Sequence, residues 1–292
     1  MTDPRLYGRW IYNTKVQASG PSSHSIYDPS KSPTHIAIDG ATFNATYGDG
    51  SSGAGLTGDM AVDSVVIGGV SVSNQAIQLP TSLPTDITKD PNSDGIVGLA
   101  FQKLNKICTK GAGCPPSGST TVCPHGYGPN PHPTWFENAK SALSAGLFTV
   151  NFLKGTSGYF SFGEIDRSVY KGELAYHPID TSAGYWQFPS TSYKVGDNGN
   201  LNTNNGNAAI ADTGTSLLVL DDIVVANYYK EVSGWKIDSQ GYTFPCGVHL
   251  PNLVVALGSY MATISGELIN YAKASEPGCK FTPYPEVLLA DD

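Results

Sequence analysis

The chain has 292 residues, of which 14% are charged, and its formal net charge at pH 7 is −8. Binding to a nucleic-acid backbone needs clustered Lys and Arg residues, which this acidic chain lacks, so the charge argues against a nucleic-acid partner. No apolar run reaches the roughly 18 residues that a membrane span requires, and we expect no membrane span.

Glycine and proline are abundant, with 33 and 20 residues respectively, and Ser, Thr, Tyr and Asn fill much of the rest. Such a mixture is typical of short strands joined by tight turns, and less so of long surface helices. A chain of this length forms either one large all-β unit or two domains.

The first regular pattern alternates apolar and polar residues from Ile36 to Leu79. It predicts a meander of β-hairpins. Within it, the segment Tyr47-Gly48-Asp49-Gly50 is a candidate β-turn, because Asp-Gly readily adopts the positive φ of two-residue hairpin loops. Residues 106–133 lack a periodic apolar pattern and are dense in Pro and Gly, which predicts a loop.

A short helix is predicted next, with Thr134 as its N-cap and its end near Gly146. Three strand patterns follow, F-T-V-N-F-L, G-Y-F-S-F-G and E-L-A-Y-H-P-I. Because the later part of the chain has its own strands and a helix around Ile223 to Val232, we predict two lobes, residues 1–148 and 149–292.

The strongest functional candidate is the segment A-A-I-A-D-T-G-T-S-L-L-V-L, residues 208–220. Asp212 follows one apolar run and precedes another, while Gly214 permits a sharp turn and Thr213 and Thr215 supply hydroxyl groups. Burial raises the pKa of a carboxyl group whereas hydrogen-bond donors lower it, so such a site can tune protonation. The alternative is an Asp that only supports a turn. The apolar flanks favour a catalytic carboxylate.

These motifs resemble the pepsin family of aspartic proteases, especially the secreted fungal acid proteases, over nearly the whole chain. The segment Asp212-Thr213-Gly214-Thr215 resembles the second of the family's two D-T-G motifs, and Tyr47-Gly48-Asp49-Gly50 resembles the tip of its substrate-covering flap. The segment D-G-I-V-G-L-A-F from Asp94 resembles a core segment of the first lobe. The resemblance implies an all-β, two-lobe fold with a substrate cleft between the lobes.

The family's chemistry implies hydrolysis of peptide bonds at acidic pH, with a water molecule activated between two carboxylates that share a proton. Asp212 is then a catalytic residue, and Tyr47, Gly48 and Asp49 contact the substrate, although Asp49 alternatively only sets the turn. Trp10 is expected in both the core and the cleft wall. A protein or peptide substrate, a monomeric state and no metal or organic cofactor follow from the resemblance; the histidines form no metal-binding motif.

The first D-T-G motif departs from the family pattern. The segment Trp10-Ile11-Tyr12 resembles the residues that follow this motif, whose Asp lies seven positions before the Trp, at Asp3 here. However, Pro4-Arg5-Leu6 follows Asp3 instead of Thr-Gly-Ser, which favours a coincidental match over a second catalytic carboxylate.

We expect a chain truncated at both ends relative to the family, without its first strands and its C-terminal strands. The alternatives to an active endopeptidase are therefore an inactive peptide- or protein-binding relative and a gene-model fragment.

Five cysteines bear on the compartment. Cys246 and Cys279 resemble the second-lobe disulfide of the family, and the pairing among Cys108, Cys114 and Cys123 stays open. Together with the glycosylation sequon at Asn44, they favour a secreted, extracellular protein. The N-terminal residues themselves lack the apolar segment of a signal peptide.

Overall fold

The structure is a computed structural model that describes residues 9–11, 13–16, 24–45, 56–83, 93–105, 108–109, 132–153, 156–215, 218–238, 241–270, 272–273 and 280–282. The chain divides into two compact units. The first unit comprises Met1–Leu174, Thr181–Tyr185 and Asp212–Gly214, and the second comprises Ala175–Asp180, Trp186–Ala211 and Thr215–Asp292. The predicted lobe boundary after residue 148 stays a prediction.

The described residues are mostly strands, which confirms the predicted all-β class. The first unit contains β1 (Arg9–Ile11), β2 (Ile36–Ala45), β3 (Leu56–Ile67), β4 (Val70–Pro80), β5 (Gly95–Val97), β6 (Cys108–Thr109), β7 (Phe148–Asn151) and β8 (Tyr159–Phe162). The second unit contains β9 (Gln187–Pro189), β10 (Ser192–Val195), β11 (Asn202–Thr203), β12 (Ala208–Ile210), β13 (Lys236–Asp238), β14 (Gly241–Pro245), β15 (Leu253–Leu257), β16 (Tyr260–Ile264), β17 (Ala272–Lys273) and β18 (Lys280–Thr282).

The helices are short. They are α1 (Trp135–Ala139), α2 (Asp222–Lys230) and α3 (Gly266–Ile269), with 3-10 turns at Pro29–Lys31, Gln102–Leu104 and Lys140–Ala142. None of the described helices is long and apolar enough to cross a membrane.

One sheet organises the first unit, with the strand order β5-β1-β4-β3-β2-β6. The consecutive strands β2, β3 and β4 pair antiparallel, which confirms the predicted meander. Alternation along β2 and β3 buries Phe43, Leu56 and Met60 in one cluster, because successive side chains of a strand point to opposite faces. Leu99 and Ala100, in the segment that resembles a family core segment, are buried as well.

The predicted N-cap of α1 is confirmed. The Glu137 N–H donates to Thr134 Oγ1 at 3.3 Å and the Thr134 N–H donates to Glu137 Oε2 at 2.8 Å, which together form a capping box. The expected end near Gly146 is wrong. The backbone of Leu143 is already extended, with ψ at 151°, so the helical turns stop at Ala142.

Two other predicted elements are corrected by the structure. The segment from Glu173 to Ile179 is not a strand: the Tyr176 side chain is 77% exposed, and Pro178 has no N–H to donate to a ladder. Conversely, the predicted loop of residues 106–133 contains β6, where Cys108 pairs with Thr42 of β2.

In the second unit, α2 packs on a core formed with two sheets, of order β11-β10-β15-β16 and β13-β14-β18-β17. This helix confirms the one predicted around Ile223. Tyr228 of α2 is buried and its hydroxyl donates to the Pro251 carbonyl at 2.8 Å, while burial raises the pKa of this phenol. Phe244 of β14 and Leu253 of β15 complete the centre of this core.

Candidate active site

The pairing of β12 with β9 brings the chain to the D-T-G motif. Ala209 lies opposite Phe188, and beyond the strand the Ala211 N–H still donates to the Trp186 carbonyl at 3.0 Å. The backbone is therefore held up to the residue before Asp212. An acidic side chain in this position is fixed by a strand rather than by a free loop.

Asp212 forms a tight turn with the residues that follow it. The Gly214 N–H donates to Asp212 Oδ1 at 2.9 Å, and Asp212, Thr213, Gly214 and Thr215 are all half-buried. A hydrogen bond from an Asp side chain to the N–H two residues on defines an Asx-turn, which fixes the orientation of the carboxylate. Asp212 therefore does support a turn, and this turn is compatible with a catalytic role for the same carboxylate.

The structure describes only some of the residues that were predicted to lie near the family's first D-T-G motif. Trp10 lies on β1, opposite Gln78 of β4 in a parallel pair and opposite Ile96 of β5 in an antiparallel pair. Its side chain and Asp3 lie outside the described residues. Their predicted roles therefore stay predictions.

The predicted flap tip, Tyr47-Gly48-Asp49, also lies outside the described residues. The strands on both sides of it are described, and Ala45 at the end of β2 pairs with Leu56 at the start of β3. The flap itself stays a prediction.

Sequence reasoning missed Asn13, which fixes the strand carrying Trp10. Asn13 is 1% exposed, and its Nδ2 donates to the carbonyl oxygens of Ile11 at 3.2 Å and Pro80 at 3.0 Å. Its Oδ1 accepts the Lys15 N–H at 2.9 Å. This amide thereby joins the end of β1 to the end of β4. An Asn beyond a short strand is too common for the sequence to indicate such a role.

Sequence reasoning also missed a buried carboxylate in the first unit. Asp63 of β3 accepts hydrogen bonds from the Tyr27 hydroxyl, the Thr34 hydroxyl, Ser32 Oγ at 2.9 Å and the Ser64 N–H at 2.7 Å. Burial on its own raises the pKa of Asp63, but the hydrogen bonds outweigh it and the pKa lies below its usual value.

Tyr27 extends this network to a histidine, since its hydroxyl lies 3.0 Å from His35 Nδ1. Burial and the neighbouring Asp63 raise the pKa of the Tyr27 phenol, so it stays a hydrogen-bond donor. The network connects the segment 27–35 to β3. In the sequence, Asp63 is one polar residue of an alternating strand, and no motif marks it.

Two further predictions concern cysteines and metals. Cys246 is half-buried and has no disulfide partner among the described residues, while its predicted partner Cys279 lies outside them, so the disulfide stays a prediction. Within the described part of the chain, no group of three or more His, Cys, Asp or Glu side chains is arranged to hold a metal ion.

The family model of the eukaryotic aspartyl protease matches residues 8–283. The chain belongs to this family. Similarity to individual aspartyl proteases agrees with this assignment: aspergillopepsin-1 of Aspergillus fumigatus is 38% identical over 269 residues, which cover 91% of this chain and 61% of that protein. The resemblance drawn from the D-T-G motif and the flap sequence is thus confirmed at the level of the family.

Two more aspartyl proteases are similar to this chain at the same level of sequence identity. Penicillopepsin-1 of Penicillium janthinellum is 38% identical over 269 residues, covering 91% of this chain and 74% of that protein. Aspergillopepsin-1 of Aspergillus oryzae is 38% identical over 275 residues, covering 91% of this chain and 60% of that protein. The chain therefore spans less than two thirds of the length of both aspergillopepsins.

Proposed function

We propose that this chain acts as a secreted aspartic endopeptidase, which hydrolyses peptide bonds in proteins at acidic pH, with Asp212 as one of two catalytic carboxylates. One observation carries the proposal: in a chain of the aspartyl protease family, Asp212 begins a half-buried D-T-G-T turn at the end of a paired strand. The disulfide, the monomeric state and the extracellular location belong to the same proposal.

The chemistry assigns Asp212 to proton transfer. A carboxylate accepts a proton from a water molecule as the water attacks the peptide carbonyl, and a second carboxyl group donates a proton to the carbonyl oxygen. The Asx-turn with Gly214 keeps the Asp212 carboxylate from rotating, which reduces the reorganisation needed in the transition state. Asp3 is a weak candidate for the second carboxyl group, because Pro4-Arg5-Leu6 follows it instead of Thr-Gly-Ser. Trp10, Tyr47, Gly48 and Asp49 are proposed to contact an extended peptide substrate.

The test compares three Asp→Asn variants in the cleavage of an unfolded protein at roughly pH 3 to 5, with and without a statine-type inhibitor. Asp212→Asn should abolish inhibitor-sensitive cleavage, a loss of about 100-fold or more, since general acid–base groups contribute at least that much. The matched control is Asp39→Asn, which alters an exposed Asp and should leave the rate unchanged.

The Asp3→Asn variant tests whether Asp3 is the second catalytic carboxylate. A loss as large as that of Asp212→Asn would establish Asp3 as the partner. Full activity of Asp3→Asn would contradict the assignment of Asp3. Equal activity of Asp212→Asn and the unchanged chain would contradict the proposed function itself.

A second candidate function is peptide binding without hydrolysis. It is favoured by one sequence observation: Asp212-Thr213-Gly214 is the single D-T-G in the chain. If the protein binds peptides without hydrolysing them, titration calorimetry should detect binding of the statine-type inhibitor to a folded sample that does not cleave the protein substrate. A sample that aggregates without a cooperative unfolding transition would instead support a fragment.

A further inference from the structure

Two Asn-Gly sequences occur in the stretch between β10 and β12, at Asn198-Gly199 and Asn205-Gly206. Both Asn side chains are exposed. In such a sequence the backbone nitrogen of Gly can attack the side-chain carbonyl carbon of Asn, since Gly has no Cβ to shield its nitrogen. Whether this happens depends on whether the Gly nitrogen is held by other groups, and here the two sites differ.

At the second site, a turn leaves the Gly nitrogen available. The Asn207 N–H donates to the Asn204 carbonyl at 3.2 Å, and Gly206 has φ at +84° while Asn205 does not share a positive φ. A positive φ at the third residue alone defines a type II turn. Among the described residues nothing bonds to the Gly206 N–H, and no heavy atom lies within 4 Å of where its Cβ would be. The peptide plane between Asn205 and Gly206 is thus able to rotate.

At the first site, the Gly nitrogen is engaged. The Gly199 N–H donates to the Gly196 carbonyl at 3.3 Å. The backbone is also crowded, since a Cβ on Gly199 would lie 1.9 Å from the Val195 carbonyl oxygen. Rotation of the peptide plane before Gly199 would break this hydrogen bond.

We propose that Asn205 is a site of spontaneous deamidation and isoaspartate formation in the folded protein, and that Asn198 is protected. The Gly206 nitrogen gives up its proton to hydroxide and attacks Asn205 Cγ. The new N–Cγ bond forms, the Cγ–Nδ2 bond breaks, and the departing NH2 group takes a proton from water, so that ammonia leaves and hydroxide is regenerated. Water then opens the resulting succinimide at either carbonyl, which yields Asp or isoaspartate. Because the nucleophile is a deprotonated amide, the reaction is promoted at alkaline pH and suppressed at acidic pH.

The product alters the approach to β12. Next to Asn205, the Asn204 side chain donates to Asp221 Oδ2, so a carboxylate at 205 adds negative charge beside an existing one. Isoaspartate also inserts a methylene group into the backbone of the turn that leads into β12 and then to Asp212. The modification itself does not depend on the proposed enzymatic activity.

The experiment incubates the intact protein at pH 8 and at pH 4 and follows both sites by peptide mapping with fragmentation, and isoaspartate by enzymatic methylation. In the folded protein at pH 8, Asn205 should react roughly fivefold faster or more than Asn198, the factor that one retained hydrogen bond represents. At pH 4 neither site should react at a comparable rate.

Two comparisons assign the difference to the fold. In denaturant at pH 8 the two rates should converge, because both sites have the same Asn-Gly sequence. Asn205→Gln should remove the isoaspartate signal and Asn198→Gln should leave it. Equal rates in the folded protein, a faster reaction at Asn198, or no product at Asn205 while the unfolded chain reacts would each overturn the proposal.

Discussion

At the scale of single residues, Asp63 accepts four hydrogen bonds, from the hydroxyl groups of Tyr27, Ser32 and Thr34 and from the Ser64 N–H. Asp63→Asn removes its charge and replaces one acceptor oxygen by a donor, so hydroxyl groups among Tyr27, Ser32 and Thr34 lose their acceptor. We expect the free energy of unfolding at pH 7 to fall by about 1.5 to 3 kcal/mol, the usual range for hydrogen bonds to a charged group. Asp39→Asn, at an exposed residue, is the matched control for charge and should change it little. Urea unfolding of the three proteins measures both effects.

The same carboxylate predicts a pH dependence. Its pKa in the folded state lies below the usual value of 3.8, so Asp63 favours folding while it is ionised. This contribution is fully present above pH 3.8 and is lost as the pH falls through the folded-state pKa. The difference in stability between the unchanged chain and Asp63→Asn should therefore persist at pH 5 and shrink below pH 3.8. A difference that already vanishes near pH 5 would contradict the assigned direction of the pKa shift.

Single residues differ in how far the sequence predicts them. The turn at Asp212 was predictable, because D-T-G between apolar runs is a contiguous pattern, while the catalytic role of Asp212 stays a prediction. Asp63 and Asn13 were not, since their partners come from segments distant in the chain: Asn13 binds the Pro80 carbonyl, and Asp63 binds Tyr27. The residues next to Asp63 and Asn13 in the sequence give no indication of these contacts.

At the scale of elements, Gly58 allows β3 and β4 to approach each other closely. It pairs with Pro80, and a Cβ at this residue would lie 2.1 Å from the Leu79 carbonyl oxygen, a backbone atom that has little room to move. Gly58→Ala should lower the free energy of unfolding by about 1 to 3 kcal/mol, as overpacked sites do. Gly247→Ala is the control, since a Cβ there meets no atom within 4 Å. Similar losses in both variants would contradict the close-approach argument.

The register of β14 and β18 bears on the predicted second-unit disulfide. Phe244 pairs with Phe281 and Pro245 with Lys280, and in the sequence Cys246 directly follows Pro245 while Cys279 directly precedes Lys280, so this register is compatible with the disulfide that the family resemblance implies. A peptide map of the non-reduced, air-oxidised protein should contain these two cysteines in one linked peptide. Alkylation of Cys246 without prior reduction would contradict the pairing.

Elements were predictable where local chemistry decides them. The capping box at Thr134 and the alternation along β2 to β4 are local signals, and the structure contains both elements. The segment around Tyr176 carries the composition of a strand and has no ladder, because a strand needs a partner that composition does not specify. The strand β6 has only two residues, which is too short to show an alternating apolar pattern in the sequence.

At the scale of the whole molecule, composition and motifs sufficed for the all-β class and the family, whereas the sheet order did not follow from them. β1 lies between β4 and β5, next to strands far from it in the chain. Such pairings are fixed by burial and register over long sequence separations. The two units are not continuous in sequence either, because Thr181–Tyr185 and Asp212–Gly214 belong to the first unit although they lie within the later part of the chain.

Each of the two units has its own buried core, centred on Phe43 and Met60 in the first and on Phe244 and Leu253 in the second. A unit with its own core can fold and unfold by itself, so we expect calorimetry to resolve two transitions. Leu253→Ala, which removes a buried side chain at a cost of about 2 to 5 kcal/mol, should lower only one transition temperature. Gly58→Ala should lower only the other. If both variants shift a single transition, the chain unfolds as one cooperative unit and the two cores are not energetically separate.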